Sequence, residues 1–542
     1  MRVSFAFLLA WLMLAEPGGA SPIFASGFEP PFNIPANAAE AARFLTQASF
    51  GPTPQDIARV QAIGYVGWLH QQFNTPPTRA RPHLEQIAAA GVAVSHHHRM
   101  DRWFHTVVYA PDQLRQRMAY ALSQILVISD RDSSLASDYF GVAEYWDLLA
   151  THAFGNYRDL MRAVSLSPQM ARYLTFLRNR KGDPATGRLP DENYARELMQ
   201  LFTIGLVERN DDFSPVLDAQ GRPIPTYDQA TIMELARVFT GFTYAGSTSF
   251  FSGSPNYLPM MCFQSQHDDQ PKEIFGIRLL SGQCMQDLEE ALDILFLHPN
   301  TPPFVARQLI QRFVTSNPSP QYIERVVRVF KNNGQGVRGD LRAVLEAILL
   351  DPEARIRDPS PRYGKPREPL LKLTALWRAF AAQPPPADPS GFVPMGVRSP
   401  QNDYAQRPLG APTVFNFYEP DYRPAGSIAD AGLYAPEFQI IDENYVIRTA
   451  NHLYQRIWSG YIGMPNPPPD RPLLDLAPVA ALANDPEGMV NLLDLRLTYG
   501  TMSPGLRDIL RRMIAELPAD GLTKARAAIQ VITLSPDFAV QR

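Results

Sequence analysis

The chain has 542 residues, 45% of them hydrophobic, with 50 basic and 54 acidic side chains and a formal net charge of −4. That near balance gives no electrostatic reason for a nucleic-acid or anionic-membrane partner, and the apolar share excludes general disorder despite 51 prolines. Length beyond the usual limit of one core predicts two or three lobes, about 38–250 and 285–542.

The first stretch, MRVSFAFLLAWLMLAEPGGASP, carries Arg2, an apolar run from Phe5 to Leu14, the helix breaker Pro17 and small Gly18 and Ala20. This is the pattern of a secretory signal peptide over 1–20, cleaved near Ala20. The run is too short to span a bilayer, and no later stretch approaches about 18 uninterrupted apolar residues. The expectation is a secreted or periplasmic protein with no transmembrane segment in its mature chain; an uncut signal acting as an anchor is the alternative. Export makes a disulfide between the two cysteines, Cys262 and Cys284, the natural pairing, worth about 3 kcal/mol in the chain-entropy model. Two buried free thiols are the other reading.

Residues 21–37 are rich in Pro, Gly and small side chains without periodicity and read as an extended linker. From Asn37, a helix cap, apolar spacing of three and four residues dominates, as in QLRQRMAYALSQILVI (113–128), 287–297, 304–315, 322–332, 340–350, 370–381 and 506–517. The predicted fold class is all-α, a multi-helix body with one or two small hairpins. VLDAQGRPIPTYD, with Gln220 and Gly221 at its turn, is the best hairpin. LSPQM, LHPNT, LDPEA and LSPDF each predict a corner at which a capping residue and Pro open a new helix.

Eight blocks, taken in order, carry a resemblance: AARFLTQASFGPTPQDIARVQAIGYVGWLHQQF, APDQLRQRMAYALSQILVIS, HAFGNYRDLMRAVSLSPQM, ENYARELMQLFTIGL, TYDQATIMELARVFTGFTY, HPNTPPFVARQLIQRFV, DLRAVLEAILLDPEAR and PTVFNFYEPDY. Together they resemble the bacterial DUF1800 family, a domain of unknown function. The resemblance implies a large exported bacterial protein, often encoded beside a sulfatase-like DUF1501-type protein, which is the one partner it suggests. It brings no catalytic residues. The FWHNHF-like wording of one block is here ALSQILVIS, so a metal role for those histidines does not carry over.

Nucleophile-elbow, P-loop, dinucleotide-fold and H-E-x-x-H signatures are absent, and no cofactor is expected. In SHHHRMDRWFH a cap at Ser95 would place His97, Asp101 and His105 on one stripe, either a divalent-metal site lacking a fourth ligand or the solvated turns of a helix. PTVFNFYEPDYRP holds Phe415, Phe417, Tyr418 and Tyr422, which either stack on sugar rings or an extended peptide, or plug a gap between lobes.

DENYARELMQLFTIG puts Glu192, Asn193, Arg196, Glu197, Gln200 and Thr203 on one arc of an amphipathic helix, with Asp191 to cap it and Gly205 to end it. Ordinary surface pairing is one account of that arc. The next helix sets Glu234 and Arg237 among apolar neighbours, and the expectation is one network of Glu192, Arg196, Glu197, Glu234 and Arg237 between the two. Glu192 and Glu197 point apart, so they suit no glycosidase pair; at most one is an acid or base, with an arginine for a sulfate or carboxylate. Three functions follow: action on an envelope or extracellular polymer, a scaffold for the sulfatase-like partner, or a metal-dependent enzyme.

Overall fold

Asn37 accepts a hydrogen bond from the Glu40 amide at 3.0 Å, and the helix Ala38–Ala48 begins there as its sequence predicts. The computed structural model describes residues 33–542 apart from Pro255, Pro359 and Pro361, so the expected signal peptide, 1–20, and most of the expected linker, 21–37, lie outside the described residues. The body is all-α. Strands among the described residues form three two-stranded antiparallel pairs, Phe242–Thr243 with Met261–Cys262, Lys272–Ile274 with Ile277–Leu279, and Lys365–Pro366 with Val540–Gln541.

Caps set most helix starts. Asp340 accepts from the amides of Arg342 and Ala343 and opens Leu341–Leu350, while Ser319 accepts from Tyr322 and opens Pro320–Lys331. The predicted corners form at Ser167, Asp351 and Ser535, each followed by a proline at the first helical position. LHPNT differs: the helix Cys284–Leu297 ends before His298, and Asn300 and Thr301 start the next, which carries Pro302 in its first turn. VLDAQGRPIPTYD folds back as predicted, with Leu217 bridged to Pro223 and Gly221 at φ +77° in the turn.

One buried apolar cluster includes residues from Ala41 to Phe538, so sequence-distant helices share a core. The helix Gln113–Ser123 buries every residue in it, its polar Gln113, Arg115, Gln116 and Arg117 included. It stops five residues short of the predicted end at Ile128. Gln124 leaves the helical path and sends its side chain to Glu368 and Tyr418.

Cys262 and Cys284 are joined as a disulfide. It ties the strand Met261–Cys262 to the first residue of Cys284–Leu297. Beside it, the fully buried Asp287 accepts hydrogen bonds from Lys272 Nζ at 2.6 Å and Ser281 Oγ at 2.7 Å and pairs with His267 Nε2 at 3.1 Å.

Candidate functional site

The helix Asn193–Glu197 runs directly into a π-helical turn, Leu198–Thr203. There Thr203 Oγ1 donates to Leu198 O, five residues back, at 2.6 Å. A π turn advances each residue by less than the 100° of an α-helix, so the predicted arc breaks: Thr203 is buried and Leu201 turns part-way out. Gly205 ends the turn at φ +70°, where a Cβ would lie 2.7 Å from the Phe304 ring.

Beyond Gly205 the chain is pinned to the start of the helix Thr301–Phe313. Asn300 Nδ2 donates to the carbonyls of Ile204 and Val207, both at 2.8 Å, and Asn300 Oδ1 accepts from the Arg209 amide at 2.8 Å. On the helix that follows, Phe304, Arg307, Gln308 and Arg312 occupy one arc. A third segment, 411–422, closes over them. Ser129 Oγ donates to Ala411 O, Asn416 turns the chain at φ +69°, and Pro420 O accepts from Gln311 Nε2 at 2.9 Å.

These three segments wall a cavity of about 730 Å³ with Gln124 and Ile125 among its lining residues. The volume falls within the range of about 300–1,000 Å³ common to ligand sites. Gln124 and Ile125 come from ALSQILVIS, the block that lacks histidines. Of the aromatic loop, Phe415 and Tyr418 line the cavity, while Phe417 and Tyr422 are not among its lining residues. Phe415 is 46% exposed, Phe417 and Tyr418 are buried, and Tyr422 is half-buried.

Arginines stack on the rings. Phe213 lies between Arg209 at 4.4 Å and Arg307 at 4.6 Å, Tyr434 lies between Arg307 at 5.1 Å and Arg423 at 4.2 Å, and Arg312 covers Tyr418 at 4.7 Å. Burial lowers the Arg307 pKa to about 10, which still leaves it charged at neutral pH. Gln308 Nε2, Arg312 Nε and both amide atoms of Asn416 are buried without a hydrogen-bond partner among the described residues. Each such neutral group costs about 1–3 kcal/mol, and an uncompensated buried cation costs several.

Behind the cavity lies a charged layer. Glu368 Oε2 accepts from Tyr120 at 2.7 Å, Gln124 at 2.8 Å and Gln406 at 2.9 Å. Burial pushes its pKa up, but the charges of Lys365 and Arg117 and these hydrogen bonds outweigh that and hold it below the usual carboxylate range. Glu437 pairs with Lys365 at 3.0 Å, yet burial raises its pKa. Arg117 donates to Arg312 O at 2.6 Å and leaves Nε and Nη1 without partners.

The residues expected as one network separate into three groups. Glu192 pairs with Arg196 at 3.0 Å and accepts from Gln229 at 2.7 Å. Arg237 pairs with Glu234 at 2.8 Å and with Asp268 at 2.9 Å. Glu197 is hydrogen-bonded to neither, although the Arg196 charge pulls against the rise that burial gives its pKa. Its Oε2 is buried without a partner, burial raises its pKa, and its charge acts on Tyr173 and Tyr227. The two helices do pack together, but among the described residues the hydrogen bonds between their polar faces run through Gln229, to Glu192 and Arg196.

The histidine stripe lies on the helix His96–Tyr109 without converging on a point. Asp101 is buried; burial raises its pKa to about 6 against the pull of the Met395 and Val397 amides. Burial and Arg102 lower His105 to about 4, and its ring packs on Tyr109 at 5.1 Å. His97 is lowered by burial and by Arg398. Among the described residues, the group whose ligand atoms gather within 4.8 Å is Cys262, His267 and Cys284, and there the sulfurs are already bonded to each other.

Sequence reasoning missed Arg307, Gln308, Arg312, Phe213 and Asn416. The available signal was HPNTPPFVARQLIQRFV, where arginines and glutamines interrupt an apolar helix that had to be buried.

Fold and site define an all-α protein with a ring- and arginine-lined cavity built from three distant chain segments. The chain belongs to the DUF1800 family, described as "Protein of unknown function (DUF1800)", which it matches over residues 43–540. No curated protein and no solved structure matches it.

Proposed function

We propose that this protein holds a segment of an envelope or extracellular polymer in the 730 Å³ cavity as a step in that polymer's processing. The observation that carries the reading is the set of buried amide and guanidinium atoms without partners that face a cavity rimmed by the exposed ring of Phe415. Polar groups left open in this way are satisfied when a ligand rich in hydrogen-bonding groups enters. Asp212 accepts from the hydroxyl and amide of Ser214, which hold its pKa below the usual range. That suits an ionised acceptor and not a proton donor, so the cavity is read as a recognition site.

The reading sets the protein outside the cytoplasm. The N-terminal signal pattern supports this, as does the disulfide, which suits an oxidising compartment. Among the described residues, no helix is long and apolar enough to cross a membrane. The test is affinity electrophoresis of the protein through gels containing envelope and extracellular polysaccharides, with Leu201→Trp as the cavity-filling variant. Retardation by at least one polymer, abolished in the variant at unchanged thermal stability, is the expected result. Equal retardation of both proteins contradicts the reading.

A further inference from the structure

Resting on that reading, the electrostatics of the cavity narrow the polymer to one class. Arg312 is only 2% exposed, donates no hydrogen bond from its guanidinium to any described residue, and keeps Nε without a partner. Arg307, at 7% exposure, makes one long hydrogen bond, 3.4 Å to Pro420 O, and is otherwise held between ring faces. Neither has a carboxylate within 4.0 Å among the described residues, whereas the buried Lys272, Lys365 and Arg378 each pair with one. The acids at the cavity, Asp212, Glu419 and Asp421, lie on its outer edge, half-buried or exposed.

A planar guanidinium at a cavity wall that no carboxylate pairs is best satisfied by a planar or tetrahedral oxyanion. The stacking on Phe213 and Tyr434 fixes the plane of Arg307 before any ligand arrives. The neighbouring amides ask for something else. Gln308 offers an open donor, and Asn416 offers an open donor and an open acceptor, a match for hydroxyl groups, which both donate and accept. Phe415 adds an exposed apolar ring at the rim.

We infer that the cavity binds an acidic glycan, a sugar chain whose carboxylate or sulfate groups meet Arg307 and Arg312, whose hydroxyls meet Gln308 and Asn416, and whose ring face rests on Phe415. A free oxyanion satisfies the arginines alone. An acidic peptide supplies the charge but not the hydroxyl groups.

The test is calorimetric titration of the full mature protein with matched pairs: oligogalacturonate against its methyl ester, and sulfated galactan oligosaccharide against its desulfated form. Oligoglutamate and inorganic sulfate serve as further probes. At least one acidic oligosaccharide should bind tenfold or more tightly than its neutral partner, and more weakly as salt rises. The pair that discriminates tells carboxylate from sulfate. Arg312→Gln should remove that preference, and Phe415→Ala, which changes an exposed side chain and leaves folding intact, should weaken the acidic oligosaccharide several-fold while leaving sulfate unaffected. Equal binding of acidic and neutral partners overturns the acidic class but leaves the polymer reading standing. Oligoglutamate binding as tightly as the oligosaccharides overturns the sugar assignment, and no binding by any glycan, with sulfate alone captured, overturns inference and reading together.

Discussion

The Tyr418 hydroxyl donates to Gln124 Oε1 at 2.9 Å across 294 residues of sequence, and Gln124 Nε2 in turn donates to Glu368 at 2.8 Å. This chain of bonds locks the aromatic loop to the buried charged layer behind the cavity. It makes the cavity a product of the whole fold and not of one lobe. Tyr418→Phe removes one bond and leaves Gln124 Oε1 buried without a donor, at a cost of about 1–3 kcal/mol. Thermal unfolding followed by circular dichroism should show a lower midpoint than the unmodified protein; an unchanged midpoint would show that the bond is dispensable.

Glu197 and Arg237 should respond in opposite ways. Glu197 makes no side-chain hydrogen bond to a described residue and burial raises its pKa, so Glu197→Gln should leave stability at neutral pH unchanged or raise it. Arg237→Met strands Glu234 and Asp268, which it pairs at 2.8 and 2.9 Å, and should cost about 1–3 kcal/mol in denaturant unfolding. Comparable losses in both variants would mean that Glu197 has a structural partner after all.

The two stretches show what a sequence reveals. Asn37 was legible as a cap because a cap depends on a few neighbouring residues, whereas Asp191, expected to cap the helix Asn193–Glu197, stands one residue before its N-cap Glu192 and accepts from the Asn193 amide. The disulfide was legible because only two cysteines exist. The arc of DENYARELMQLFTIG failed after Glu197 because a π turn has no sequence signature distinct from an α-helix, and Thr203 went inside with its hydroxyl bonded to Leu198 O. The cavity was out of reach for another reason: it joins residues near 205, 307 and 416, and no local pattern states that they meet. Arg307 and Arg312 were missed although they interrupt an apolar run together with Gln308 and Gln311, a signal like the one that drew attention to Glu234 and Arg237.

Acid should weaken the disulfide region in a defined window. Burial pushes the Asp287 pKa up, but hydrogen bonds from His267, Lys272 and Ser281 outweigh it and hold it at about 2, below its ordinary 3.8. A carboxylate with a depressed folded-state pKa adds stability that is full above about 4 and is lost as pH falls through about 2. The contribution is on the order of 2 kcal/mol. Unfolding measured from pH 5 to pH 2 should be less steep in Asp287→Asn than in the unmodified protein; parallel curves would remove Asp287 from the account.

The proposed export and the disulfide together predict the covalent state of the natural protein. Mass spectrometry of material from its native host should find an N-terminus near Ser21 and a linked Cys262–Cys284 peptide. Reduction should then lower thermal stability by about 3 kcal/mol. An intact Met1 with both thiols open to alkylation would contradict both parts.

The central claim is that three distant segments form one acidic-glycan site, and hydrogen–deuterium exchange reads all three at once. With the tightest acidic oligosaccharide bound, amides in 205–215, in Thr301–Phe313 and in 413–421 should gain protection together. The helix His96–Tyr109 should exchange as before. Protection confined to one of the three segments, or appearing on the histidine helix instead, would contradict the account.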